Sequence, residues 1–214
     1  MKAWHFVRAD RTLGYDLTEK KIRKGMVLRT DEPIELCHSG FHGSIRPLDA
    51  LNCAPGPIIC RTEHSGEILE GDDKIVSSVR KVLWWADATN VLHHFACDEA
   101  ERALTARREA GDEPDKRSWE AIEAKRLWLQ GEATDKDLAA ARDAASVAAR
   151  AAASAAAWAA AWAAASVAAR VAARAAAWAA ARAAAWAAAS VAAWAAARDA
   201  QNERLEAKLM ELER

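Results

Sequence analysis

The second half of this 214-residue chain lacks the residues that interrupt helices. After Gly131 neither glycine nor proline occurs, and these two are the strongest helix breakers. From Leu138 to Arg198 alanine fills most positions, and nearly every fourth residue is something else. Because alanine has the highest helix propensity, the pattern predicts one very long helix, with a fold-back at a Ser-Val step as the alternative. About eighty helical residues would extend roughly 120 Å.

The chain also lacks paired cysteines, a leader and a strong net charge. Its four cysteines have no CxxC spacing and no apolar run of signal-peptide length opens the chain, so reduced thiols in a cytoplasm are expected. The uncharged residues 151–169 are mostly alanine, which inserts weakly into membranes, so no membrane span is expected. A formal net charge of −1 argues against nucleic acid as a partner.

Residues 1–80 predict a small α+β domain with short strands separated by glycine and proline. The first strand candidate is KAWHFV, which is rich in aromatic and β-branched residues. A helix is predicted to start at Pro47, because proline suits a first helical turn and Asp49 follows it. The segment PGPIICRTEHSGEIL then returns to strand.

Helical spacing of apolar residues begins at about Val76. Residues 81–132 therefore predict a connector of two helices, and Gly131 suits the C-terminal cap of the second. The fold class expected for the chain is α+β, with a small mixed strand and helix domain followed by an all-α region that contains the long alanine-rich helix.

The long helix is predicted within residues 133–214, where Thr134 and Asp137 resemble a capping box. A four-residue period overshoots a helical turn by about 40°, so the larger side chains spiral around the rod. Exposed tryptophans would be a liability on a monomer, which predicts that the tract oligomerises or docks a partner chain; a tolerated spacer is the alternative. The candidate binding side chains of the tract are Trp158, Trp162, Arg170, Arg174, Trp178, Arg182, Trp186 and Trp194.

Side chains able to do chemistry lie in the N-terminal domain. The segment CHSGFHGS contributes His42 and Ser44 as candidates for ligand or partner binding, and His5, His42 and Glu67 are the candidates for catalysis. Glu63 and Glu70 are equal candidates with Glu67 for the acidic role. The Cys and His spacings match no structural zinc pattern, and no phosphate loop or hydrolase signature occurs, so no metal or cofactor is expected. Satisfied structural histidines are the simpler interpretation.

Three runs, ELCHSGFHGSIRPLDAL, PGPIICRTEHSGEI and DDKIVSS, resemble an uncharacterised N-terminal domain that is common in phage and bacterial proteins. The shared features are C-x-x-GFH, a PLDAL helix, an SGEI strand end and a following Asp-Lys. Cys53 stands where that family usually has an aromatic residue. The likeness covers roughly residues 1–80 and implies no reaction or ligand.

Two later runs, LHHFACDEAERAL and PDKRSWEAIEAKR, with the alanine-rich continuation, resemble helical immunity proteins over about residues 90–200. Those proteins usually have a second cysteine where this chain has Glu99. Both resemblances imply a phage or prophage context and the cytoplasm of a bacterial host. The order of elements around His5 and GFHGS also resembles ADP-ribosyltransferase-like folds.

The function expected from the sequence is a non-enzymatic binding or assembly protein of phage or prophage type with a counter-defence or immunity role. Its partner would be a second copy or another protein, held through the alanine-rich helix. Two alternatives stay open. One is a sponge that binds a small nucleotide signal through Trp and Arg side chains, and the other is an ADP-ribosyltransferase-like enzyme in the N-terminal domain.

Overall fold

The computed structural model describes residues 1–13, 18–147 and 195–213. Most of the predicted alanine-rich helix, with its Trp and Arg binding candidates, lies outside these ranges. On either side of that gap, residues 135–147 and 195–210 are helical. Within the described ranges no helix combines the length and apolar character that crossing a bilayer requires.

The chain divides into two compact units. The first joins Met1–Leu92 with Arg198–Arg214, and the second is His93–Ala197. Strands dominate the first unit and helices follow it along the chain, so the expectation of a sheet-rich N-terminal region with later helices is confirmed. Both ends of the chain thus belong to the same unit.

The elements of the first unit are short except for two long strands. In chain order they are β1 (Lys2–Val7), β2 (Thr12–Leu13), β3 (Thr18–Lys21), β4 (Val27–Arg29), β5 (Phe41–Gly43), α1 (Pro47–Asn52), β6 (Ile58–Glu70) and β7 (Ile75–Asp87). The predicted first strand and the predicted helix start at Pro47 are confirmed.

The main sheet is antiparallel in the order β1-β6-β7-β4, and β5 pairs with the start of β7 beside β4. The chain following β5 then reaches the free edge of β1. There Trp4 and Ser44 exchange two backbone hydrogen bonds of 2.7 and 2.9 Å. Because β5 is bonded to β7 and its continuation to β1, the hydrogen-bonded circuit of strands closes.

Closure gives the sheet an inner and an outer face, and β1 buries side chains on both. Gly43 marks the inner face, because a Cβ built on it would lie 2.8 Å from the His64 ring and 3.0 Å from the Ala3 methyl. One end of this face is an apolar cluster of Val7, Ile22, Ile58 and Cys60, with Leu13 and Trp85 packed against it. The rest of the inner face is polar and forms the candidate site.

The prediction of helix from about Val76 is wrong, because residues 75–87 form β7. The predicted domain boundary at residue 80 consequently falls inside a strand. The apolar residues of β7 matched helical spacing because the strand contributes buried side chains to both faces, as Val82 and Trp84 show. A strand covered on both faces does not alternate between apolar and polar residues.

Two helices follow β7. Helix α2 (Thr89–Glu109) begins in the first unit and continues into the second, which also contains α3 (Lys116–Gln130). The predicted cap at Gly131 is confirmed, since this residue ends α3 with a left-handed φ of 79°. The capping box is also confirmed: Thr134 Oγ1 accepts from the Asp137 amide, and the Asp137 carboxylate accepts from the Thr134 amide at 2.9 Å. Helices at these places therefore follow from local sequence alone.

Candidate functional site

A polar cluster on the inner face centres on His64 of β6. The ring is almost fully buried, with Nδ1 2.8 Å from the Ser77 hydroxyl and Nε2 3.0 Å from the Thr62 hydroxyl. Burial, followed by the charge of Arg80, lowers the pKa of His64 to about 3. A neutral imidazole has one donor and one acceptor. The single ring N–H donates to one of these hydroxyls, while the Thr62 hydroxyl donates to the Ala3 carbonyl at 3.1 Å and the Ser77 hydroxyl donates to the Val79 carbonyl at 2.8 Å.

Arg80 of β7 lies beside this cluster and is the buried cation of the first unit. It is 4% exposed, and its Nη1 donates to the His42 carbonyl at 2.9 Å. Its guanidinium carbon lies 5.5 Å from the Phe41 ring centroid, and its Nε has no hydrogen-bond partner. Burial lowers the pKa of Arg80 to about 10, so the group is charged at neutral pH and suppresses protonation of the histidines around it.

The two histidines predicted as catalytic both belong to this cluster. Burial, and then Arg80, His64 and His42, hold the pKa of His5 well below its usual range. Partial burial, Arg80 and Lys74 also lower the pKa of His42. The Nε2 atom of His42 accepts a hydrogen bond from the Cys37 amide at 3.0 Å. The lone pair that a general base would use is therefore already engaged in holding a turn.

The third catalytic candidate, Glu67, is not brought to the histidines. His5 pairs with Cys60, and β1 begins at Lys2 opposite Glu63, so Glu67 lies beyond that pairing. Its side chain is exposed at an irregularity of β6, where its amide donates to the Ser78 hydroxyl. The structure therefore does not assemble an acid and base pair from the three predicted residues.

The remaining candidates of the N-terminal domain have structural roles. Ser44 is buried, and its backbone closes the strand circuit against Trp4. The Cys60 thiol is buried beside the cluster, and burial raises its pKa to about 12, which suppresses the nucleophilic thiolate form. In the parts of the chain that the structure describes, no three His, Cys, Asp or Glu side chains come together as a metal site.

A second site, which the sequence analysis missed, is a groove on the outer face. We define the docking segment as residues 198–213, which lie in the first unit with the sheet. Leu205 and Leu209 of this segment are completely buried. The 3-10 turn that ends it, Glu211–Glu213, contacts β7. The docking segment is therefore a packed part of the N-terminal fold.

Aromatic side chains of the sheet lie beside the point where Arg61 meets the docking segment. Trp4 and Trp84 meet edge to face with ring centroids 5.8 Å apart. The Arg61 guanidinium lies 4.3 Å from the Trp4 ring centroid and 3.7 Å from the Glu206 carboxylate. Arg61 thus connects the sheet to the docking segment through a stacked ring on one side and an opposite charge on the other.

Polar side chains fix the position of the docking segment on α1. This short helix has no side-chain cap of its own, and Asn202 Oδ1 accepts from the Leu48 amide at 3.0 Å. The buried Asp49 carboxylate accepts from Arg46 at 2.9 Å and from Arg198 at 2.7 Å. Asn202 satisfies one of the amides that a helix N-terminus leaves unpaired. Arg198 and Arg46 together neutralise a buried charge.

Contacts within the second unit are mostly at its surface. Arg126 of α3 donates to Asp98 and Glu101 of α2 at 3.1 and 2.6 Å, and the His93 and Trp128 rings meet edge to face at 5.7 Å. A shallow pocket on α2 is lined by charged and small side chains, among them Asp98, Glu101 and Arg102. Alternating charges of this kind typify a solvated helix face rather than a binding site.

The fold and the groove define a class: a small closed antiparallel sheet domain, completed by a helical segment from the far end of its own chain. Residues 1–94 match the family model described as Domain of unknown function (DUF7666). The prediction of an uncharacterised N-terminal domain is thereby confirmed. No curated protein and no solved structure matches the chain.

Proposed function

We propose that the protein is a non-enzymatic binding or assembly protein of phage or prophage type that presents its alanine-rich region to a second copy or a partner protein. The observation that carries this proposal is the return of residues 198–213 to the N-terminal sheet. The region between His93 and Ala197 thus leaves and re-enters one compact unit. Residues 93–197 are therefore attached at both of their ends to one fold.

The state of the catalytic candidates supports a binding role over an enzymatic one. A general base needs a pKa near the working pH and a free lone pair. The pKa values of His5, His42 and His64 are all lowered, and the His42 ring accepts the Cys37 amide. Glu67 is exposed and lies beyond the β1 pairing. These residues serve the packing of the domain.

The sequence of the alanine-rich tract supplies the surface for assembly. Five tryptophans in the tract lie among alanines, at positions 158, 162, 178, 186 and 194. Large aromatic side chains contribute most of the binding energy at protein interfaces, and alanine lets helix backbones approach closely. The sequence resemblances support a counter-defence or immunity role for this assembly.

Size-exclusion chromatography with light scattering, run over a range of concentrations, tests the proposal. We expect the full chain to be larger than one copy, and we expect the variant with all five tract tryptophans replaced by alanine to form smaller assemblies than the wild type. Trp119→Ala with Trp128→Ala is the matched control and should keep the assembled mass. A wild-type monomer at every concentration, with tract tryptophans fully quenched by acrylamide, would refute assembly.

A further inference from the structure

The outer groove contacts one face of the docking segment. The contacting residues are Arg198, Asn202, Leu205 and Leu209, which are four, three and four positions apart. That spacing places them on a single stripe of a helix. The two leucines are fully buried, while Asn202 and Arg198 bond to the Leu48 amide and the Asp49 carboxylate. The groove thus selects for apolar and polar side chains together.

The part of the groove that belongs to the sheet domain is incomplete without this helix. The family match ends at residue 94, whereas the helical residues that cover the groove begin at Arg198. On the domain side, α1 lacks its own cap. The fully buried Trp4 and Phe6 need a cover. The part of this fold that the family model covers therefore carries a site for a helix that lies outside residues 1–94.

The connection between the N-terminal domain and the docking segment is long, which lets a second chain supply the helix that fills the groove. About a hundred residues, 93–197, separate the two parts of the first unit. Each doubling of a loop adds only about 0.6 kcal/mol of closure entropy, and the effective concentration of a tethered segment falls with tether length. A connection of about a hundred residues therefore favours its own helix over the helix of a second chain less than a short connection would. Exchange of identical elements between copies is a low-cost route to oligomers.

We propose that the outer groove of the N-terminal domain is a binding site for an amphipathic helix carrying the stripe Arg-x3-Asn-x2-Leu-x3-Leu, and that a second copy of this chain supplies that helix in trans. The groove makes the same contacts with residues 198–213 of the second copy as with its own. The tryptophans of the alanine-rich tract take no part in these contacts. An experiment can therefore refute helix binding in the groove without refuting assembly through the tract, and the reverse.

The first experiment opens the groove in the full chain with Leu205→Asp and Leu209→Asp and adds a fluorescein-labelled peptide of residues 195–214. We expect saturable binding by fluorescence anisotropy, about tenfold weaker binding of a peptide with Asn202→Ala, and no binding of a peptide with both leucines changed to aspartate. A peptide with Glu203→Ala is the matched control and should bind like the wild type, since Glu203 is exposed. An opened chain that keeps its sheet by circular dichroism but binds no wild-type peptide overturns the proposal.

A second experiment keeps the groove closed, and it decides the question if the opened chain does not fold. Arg46 and Asp199 are 45% and 62% exposed and lie 3.1 Å apart at the rim of the groove. One chain carries Arg46→Cys and another carries Asp199→Cys, both with the exposed Cys37 and Cys53 changed to serine. The two are unfolded, mixed, refolded together at high concentration and treated with a short bis-maleimide.

Covalent dimers that join the two chains are expected from the co-refolded mixture. They should be far fewer when the chains are refolded separately and then mixed, because exchange requires the docking segment to leave its groove. The double variant Arg46→Cys with Asp199→Cys on one chain is the control for reach and should crosslink internally. If it does so and the mixture yields monomers alone, helix exchange between copies is overturned.

Discussion

The two units of the chain are held together in different ways. The first unit buries large side chains on both faces of its sheet, among them Trp4 on the outer face and Val7 on the inner face, and it closes with Leu205 and Leu209. In the described helices of the second unit, α2 buries Phe95 and Cys97 while α3 buries no residue. Since apolar burial dominates folding free energy, the first unit holds more of the stability than α2 and α3 do.

The described helices of the second unit rely on local signals instead. Asp115 caps α3, Gly131 ends it, and ion pairs such as that of Arg126 connect α3 to α2. Pairs of this kind contribute from about zero to 1 kcal/mol each. The contrast teaches that the extreme C-terminus belongs with the strongly buried region, although it follows the alanine-rich tract in sequence.

Removing a buried leucine of the docking segment should have the largest effect. Leu209→Ala should lower the free energy of unfolding of the first unit by about 2–5 kcal/mol, because it removes a large aliphatic side chain from a closed core. Urea denaturation followed by near-ultraviolet circular dichroism measures it. Met210→Ala is the matched control, since Met210 is 38% exposed, and should cost much less. Equal effects at the two positions would contradict the docking.

The histidine cluster should make the first unit sensitive to acid. The pKa of His64 is about 3 in the fold against an ordinary 6.5, so the unfolded chain binds more protons in that window. The stabilisation is complete above about pH 6.5 and is lost as pH falls toward 3, by about 1 kcal/mol per pH unit. Arg80, the N-terminal amine and His42 all oppose the protonation of His64.

Urea denaturation at about pH 7 and about pH 5 tests this assignment. His64→Gln should be less stable than the wild type at about pH 7 and should lose less stability on acidification. His94→Gln is the control, because His94 is exposed on α2, and should follow the wild type. An unchanged pH dependence in His64→Gln would place the titrating group elsewhere.

The cap supplied by Asn202 should have a smaller effect. Asn202→Ala leaves the Leu48 amide without its acceptor and should cost about 1 kcal/mol, as loss of a helix cap typically does. The same urea titration measures the change. Glu203→Ala, on the exposed side of the same helix, should be nearly neutral. A neutral Asn202→Ala would show that the docking segment is held by its leucines alone.

The smallest effect is expected in the second unit. Arg126→Ala removes the ion pairs between α2 and α3 and should cost about 1 kcal/mol or less, with a smaller loss at high salt. Amide hydrogen exchange of α3 at low and high salt measures it. Lys116→Ala is the control, because Lys116 is 85% exposed in its pair with Glu120. A salt-independent loss would mean that packing, not charge, holds α3.

Elements that depend on local sequence could be predicted. KAWHFV, the start at Pro47, the cap at Gly131 and the box of Thr134 with Asp137 all appear as expected. Each of these signals is carried by six consecutive residues or fewer. The strand β7 could not be recognised, because it buries side chains on both faces of the sheet, as Val82 and Trp84 show, and this burial removes the alternation that marks a strand.

The candidate site was predicted only in part, again because the residues that form it lie far apart along the chain. His5 and His42 do meet in one cluster, but its buried members His64 and Arg80 carried no sequence signal beyond their residue type. The docking segment was hidden because the alanine repeat dominates the region before it. Its signal was the end of that repeat after Arg198, where QNERLEAKLMEL shows an amphipathic stripe.

Native-state hydrogen exchange of the full chain tests most directly whether residues 198–213 complete the N-terminal domain. Amides of residues 202–209 should exchange with the same free energy of opening as the paired amides of β6 and β7, because the segment and the sheet open together. Exchange of those amides at the rate of an isolated, fraying helix, while β6 and β7 stay protected, would contradict the account.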